Sequence, residues 1–222
     1  MVGLIEKPEY VTTQWFKDEG DAIILLGEIV DQADPLVGLG GSAYLQVIHG
    51  QKNGSPPRCD LETATTLHTT LIGLIQSGLV KSAHDCSEGG LAVALAESCI
   101  SQLIARDTPR LIGATVDLSA VAAPRVSAAN QAGEPSALPR DAATTRLDAL
   151  LFGETQSRIV ITCKAINAVK VVERAKLMGV PAMQIGKVGG DKLTVKTAGG
   201  EFSAPLAELH DAWWNSIARA MT

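Results

Sequence analysis

"DAIILLGE", Asp21 to Glu28, is a continuous apolar run held between Gly20 and Gly27. Such a run, bounded by turn residues, reads as a buried strand. A buried strand must be covered by something. Aromatic residues make up only 4% of the chain, so that cover has to come mainly from Leu, Ile, Val and Ala. This composition favours helices packed on a sheet.

The rest of the chain supplies the helices. In "GLGGSAYLQVIHG", Ser42 is placed to cap a short helix. From Asp60, an N-cap, the stretch to Gly78 repeats apolar residues at Leu67, Leu71, Leu74 and Ile75, which predicts an amphipathic helix stopped by Gly78. A short strand "VKSAHD", a helix "GLAVALAESCIS" and a strand "GATVDLS" follow. "TRLDALLFGETQSRIVITC" reads as a short helix, a turn and a strand from about Arg158 to Cys163. The helix "AINAVKVVERAKLMG" comes next, and then "AMQIGKV" and "KLTVKT" as a hairpin joined around Gly189, Gly190 and Asp191. A terminal helix carries Trp213 and Trp214.

Helices alternating with strands define the expected fold class: an α/β (α+β) layered sandwich with a mixed sheet flanked by helices. One domain is expected over residues 21–222, after a lead-in at 1–20. Residues 120–144, rich in Ala, Pro and Ser without periodicity, read as an exposed, flexible insertion.

Charge narrows the function classes. The net charge is -5 and no Lys/Arg cluster occurs, which argues against nucleic-acid binding. Glu6, Lys7 and Pro8 stand where a signal peptide would carry its apolar region, and no apolar run approaches a membrane span. The expected location is cytoplasmic. Cys59, Cys86, Cys99 and Cys163 form no C-x-x-C pair and read as reduced, mostly buried thiols. A nucleophilic Cys86 beside His84 is the weaker alternative. His49, His68 and His210 read as helix-face residues.

Three stretches could carry chemistry. In "SAHDCSEGGLAVALAES", Gly89 and Gly90 lie between a strand and a helix, where free backbone N–H groups and the helix dipole favour an anion. Equally, Ser87 would cap the helix while the glycines permit a tight turn. "GLGGS", Gly38 to Ser42, poses the same choice, and a plain glycine-rich turn is favoured because neither G-x-G-x-x-G nor a P-loop lysine is present. In "GETQSR", Glu154, Gln156 and Arg158 alternate ahead of a strand, so their side chains are expected to point one way. They suit a polar ligand or a neighbouring backbone; a solvated strand entrance with an Arg-Glu pair is the simpler reading. A metal site from Asp85 and Glu88 has only a lone acidic pair behind it.

Taken together, "AHDCSEGGLAVALAES" and "LFGETQSRIVI" resemble the C-terminal part of the phosphoribosylformylglycinamidine synthase family. "GDAIILLGE", "GLGGSAYL" and "APLAELHDAWWNSI" look like that family in the same order, so the resemblance covers nearly the whole chain. Two departures stand out: Glu88 replaces the second Asp of the family's D-x-S-D-G-G pattern, and Thr155 stands where Ser is frequent.

The resemblance implies a fold like the aminoimidazole ribonucleotide synthetase C-terminal domain. It implies an ATP-dependent ligase of purine biosynthesis that uses Mg²⁺ and glutamine-derived ammonia to convert formylglycinamide ribonucleotide to its amidine. It also implies that this chain is a fragment whose partners are the upstream domains of the same enzyme and a glutaminase subunit or domain. No cofactor, catalytic residue or metal ligand is assigned to the chain by itself. The resemblance implies that His84, Asp85, Ser87, Gly89 and Gly90 line a phosphate cleft against an upstream domain, and that Glu154 and Gln156 are the later repeat's counterpart of a substrate contact, a vestigial or auxiliary nucleotide site; Arg158 completes the candidate phosphate or nucleotide contacts. The alternatives are a non-catalytic interaction scaffold and a domain of a related ATP-using synthetase. A surface left uncovered by missing domains would also be open to homodimerisation.

Overall fold

The structure, a computed structural model, describes residues 4–28, 37–105, 108–119 and 146–221. The expected insertion at 120–144 lies outside the described residues. In chain order the strands are β1 (Ala22–Leu26), β2 (Ser82–Asp85), β3 (Gln102–Ala105), β4 (Thr108–Arg110), β5 (Ala114–Asp117), β6 (Ile159–Cys163), β7 (Ala182–Val188), β8 (Lys192–Thr197) and β9 (Gly200–Pro205). The helices are α1 (Ala43–His49), α2 (Leu61–Gln76), α3 (Gly90–Ile100), α4 (Leu147–Phe152), α5 (Ala168–Leu177), α6 (Leu206–Trp214) and α7 (Ser216–Ala220).

Among the described residues, seven strands form one mixed sheet in the order β2-β6-β1-β7-β5-β8-β9, while β3 and β4 make a separate hairpin. The apolar run that opened the sequence is β1, and all five of its residues are buried. Alternation along it divides the core between the two faces of the sheet. Ile23 and Leu25 pack with α3, α4 and α6. Ala22, Ile24 and Leu26 pack with α2 and α5. A strand with helices on both sides needs no polar face, which is why the run is uninterrupted.

The expected caps are present. Ser42 accepts from the Leu45 N–H at the start of α1, and Asp60 accepts from the Thr63 N–H at the start of α2. Upstream of β1, Phe16 inserts into the α3 side of the core, and its N–H bonds the Ser98 carbonyl at 2.8 Å.

The sheet departs from the sequence reading in its second half. β7 and β8 do not form a hairpin: β5 lies between them, antiparallel to β7 and parallel to β8. Gly113 anchors this arrangement, donating to the Gly190 carbonyl and accepting from the Gly189 N–H. β5 then enters with Ala114 and Val116 facing the core and Thr115 and Asp117 exposed. The hairpin is β8 with β9. β9 is an edge strand whose residues are largely exposed, so it carries no hydrophobic alternation to read. The terminal helix is divided at Asn215, where α6 gives way to α7.

Candidate functional site

The three glycine-containing stretches converge at one place. β2 ends at Asp85, and the turn 86–89 leads into α3 with Gly89 as its N-cap in the left-handed conformation. Gly90 also has positive φ, +65°, and a Cβ there would lie 2.5 Å from the Gly153 carbonyl oxygen. Only glycine lets the start of α3 press this closely on the end of α4. Tyr44 of α1 stacks on Phe152 of α4, with centroids 5.0 Å apart, and so holds the third stretch against the other two.

Glu154 joins them. Its Oε1 accepts from the backbone N–H of Ala43 at 2.8 Å and of Gly89 at 2.9 Å. Its own N–H donates to the Gly38 carbonyl at 2.7 Å. The carboxylate thus occupies donors that a helix start would otherwise offer to an anion. The Gly90 N–H is taken as well, by the Ser87 carbonyl at 3.0 Å.

Ser87 does not cap α3. Its hydroxyl turns back and donates to Asp85 Oδ2, and the α3 N-cap makes no side-chain bond. The left-handed Gly89 moves the helix start beyond the reach of Ser87. The Ser87 hydroxyl is the main cause holding the Asp85 carboxyl below its usual range, with His84 adding to it. Behind this turn His84 is braced on both sides: Nε2 lies 2.8 Å from Glu97 Oε2 and Nδ1 lies 3.6 Å from Asp85 Oδ1.

The alternating residues of "GETQSR" do not point one way. Ser157 has φ of 60°, uncommon for a non-glycine residue, and this kink breaks the strand-like alternation. Gln156 is exposed at the surface, whereas Arg158 is only 3% exposed and donates to the carbonyls of Gly153 and Thr155. Of the two uses open to that arginine, it serves the neighbouring backbone. Burial pulls its pKa down, partly countered by the Cys86 thiol. Cys86 itself is buried, and burial pushes its thiol up to about 11, opposite to what a nucleophile needs.

Gly40, Gly41, Pro56, Pro57, Ser87, Glu88, Glu154 and Gln156 line a cleft of about 290 Å³. The structure therefore brings Ser87, Glu154 and Gln156 to one wall-lined space. His84 is braced against α3, and Arg158 lies beneath the 153–158 loop. Pro56 and Pro57 escaped sequence reasoning; the signal was the stiff Pro-Pro pair just after Asn53-Gly54. Among the described residues, the lining contributes two carboxylates, Glu88 and Glu154, and neither lysine nor arginine. A bare polyphosphate does not fit these residues, because nothing in the lining neutralises it. Among the described residues, no group of three or more His, Cys, Asp or Glu side chains is placed to hold a metal ion.

A mixed sheet covered by helices on both faces, with a glycine-walled cleft where β2 meets α3, defines an α/β sandwich domain. The chain belongs to the AIR synthase related protein, C-terminal domain family, whose pattern matches residues 18–197. It is 37% identical over 219 residues to the phosphoribosylformylglycinamidine synthase subunit PurL of Anaeromyxobacter sp. (strain K), covering 98% of this chain and 25% of that protein. The corresponding subunit of Moorella thermoacetica is 35% identical over 218 residues, again covering 98% of this chain and 25% of the relative. The chain therefore spans about a quarter of the length of the curated relatives it matches. Among solved structures, Thermotoga maritima PurL complexed with FGAR superposes with a TM-score of 0.62 at 19% identity, over 91% of this chain and 30% of that one. That likeness is one of fold.

Proposed function

We propose that this chain works as the C-terminal domain of a phosphoribosylformylglycinamidine synthase, an ATP-dependent ligase of purine biosynthesis acting in the cytoplasm. The whole enzyme would convert formylglycinamide ribonucleotide, ATP and glutamine-derived ammonia to the amidine, with Mg²⁺ accompanying ATP. The observation that carries this reading is the 37% identity to a PurL subunit over 98% of the chain. The convergence of its three glycine-containing stretches on one cleft supports it. Thermotoga maritima PurL has been solved with ATP as well as with FGAR.

Within that enzyme the domain shapes a pocket and does not catalyse. The lack of lysine and arginine among the described lining residues argues that ATP phosphates are held by other domains, which with a glutaminase subunit or domain are this chain's partners. Ser87 and Gln156 would face a ligand across the cleft. Glu154, Gly89 and Gly90 frame it, Arg158 fixes the 153–158 loop, and His84 and Asp85 brace the turn. A second reading, an interaction scaffold with no ligand of its own, is favoured by the Glu154 carboxylate already filling the Gly89 donor.

The test is ammonia-dependent ADP formation from ATP, Mg²⁺ and formylglycinamide ribonucleotide, by the chain alone and mixed with the upstream segment of a relative. Activity only in the mixture supports the reading, and turnover by the chain alone overturns the non-catalytic role. Substituting Gln156, which is exposed, by alanine separates pocket from scaffold: a pocket predicts raised KM with unchanged Tm, a scaffold unchanged kinetics.

A further inference from the structure

The loop that brings Pro56 and Pro57 to the cleft also contains Asn53-Gly54. Both residues are exposed, and Gly54 holds φ of +92°. Among the described residues, the Asn53 side-chain amide and the Gly54 N–H have no hydrogen-bond partner. Glycine has no side chain to shield its amide nitrogen, which can therefore reach the side-chain carbonyl of the residue before it. The Asn53 main-chain carbonyl accepts from the Gly41 N–H at 2.9 Å, and Gly54 packs so closely that a Cβ there would lie 2.8 Å from the Gly40 Cα. Gly40 and Gly41 are cleft walls, and Pro56 and Pro57 continue the same loop.

We propose that Asn53 is a site of spontaneous backbone-assisted deamidation that remodels the wall of the cleft. The Gly54 nitrogen attacks Asn53 Cγ, a C–N bond forms, and ammonia leaves carrying the proton lost from that nitrogen. Water then opens the resulting succinimide at either carbonyl, giving aspartate or isoaspartate, so one water enters for each ammonia released. The isoaspartyl product routes the main chain through the former side chain. The carbonyl that held the Gly41 N–H becomes a carboxylate, beside a cleft that already carries Glu88 and Glu154. The other described asparagines lack this geometry. Asn167 precedes Ala168 at the start of α5, and Asn215 precedes Ser216 with its side-chain amide held by Asp211. The inference stands apart from the nucleotide reading, since it requires no ligand.

The experiment is incubation of the full chain at mildly alkaline pH, followed by isoelectric focusing, peptide mapping and enzymatic methyl labelling of isoaspartate. The expected result is an early acidic species modified at Asn53, abolished by Asn53→Gln, with faster hydrogen exchange at the Gly41 amide in the aged protein. Modification beginning at another asparagine, or an acidic species that persists in Asn53→Gln, would overturn the proposal. Unchanged Gly41 exchange in fully converted protein would overturn the remodelling of the cleft.

Discussion

Glu154 Oε1 accepts the Gly89 N–H at 2.9 Å across 65 positions of sequence, and the same oxygen accepts the Ala43 N–H. One side chain thereby fixes how two helix starts lie against a third segment. Glu154→Ala leaves both donors without that partner. Bonds to a charged group contribute about 1.5–3 kcal/mol each, so a loss of about 3–6 kcal/mol is expected for the two, with a smaller loss for Glu154→Gln, whose carbonyl can still accept. Urea unfolding of the two variants checks the order; equal stability of Glu154→Ala and the parent would show the clip to be idle.

Phe16 lies ahead of the first strand yet belongs to the core. Phe16→Ala is expected to lower stability by about 3–5 kcal/mol, as for other buried aromatic truncations. A variant as stable as the parent would mean that the segment before β1 peels away without consequence.

The four thiols divide by environment. Burial pushes Cys86 and Cys163 to about 11 and Cys99 to about 12, whereas Cys59 is exposed. Titration of the native protein with a thiol reagent near neutral pH should show one fast cysteine, removed by Cys59→Ser. The other three should react only on unfolding.

Acid sensitivity follows from carboxyls held below the usual 3.8. The Lys81 ammonium is the main cause at Asp18, and the Ser87 hydroxyl at Asp85. At low pH the unfolded chain binds protons that the folded one does not. These groups therefore stabilise the fold above the ordinary aspartate range, and their contribution is lost as pH falls through the lowered folded values. Urea midpoints measured down the acid range should decline there. Ser87→Ala should flatten part of that decline, because Asp85 then titrates closer to its unfolded value. An identical slope in Ser87→Ala would rule out the hydroxyl as its source.

Local pattern made much of the fold legible. The caps at Ser42 and Asp60, the apolar β1 and the periodic face of α2 are all written within a few residues of where they act. The place of β5 is not, because its neighbours are chosen by contacts at Gly113 and Gly190 that are remote in sequence. β9 escaped because an exposed edge has no hydrophobic pattern to display. At the cleft, the residue types of Ser87, Glu154 and Gln156 pointed to a polar site. Their partners depended on a kink at Ser157 and a left-handed Gly89, and neither direction of a side chain can be read from spacing once the backbone turns.

The central position of β1 also sets a timetable. Its two neighbours in the sheet, β6 and β7, are translated long after it, so a nascent chain carries its most water-averse strand without either partner until Ile159–Cys163 has left the ribosome. Long-range pairing of this kind makes folding slow and leaves the strand open to wrong partners meanwhile. Birth is the protein's most hazardous moment, and holding β1 out of reach until β6 arrives is the service a chaperone would render it.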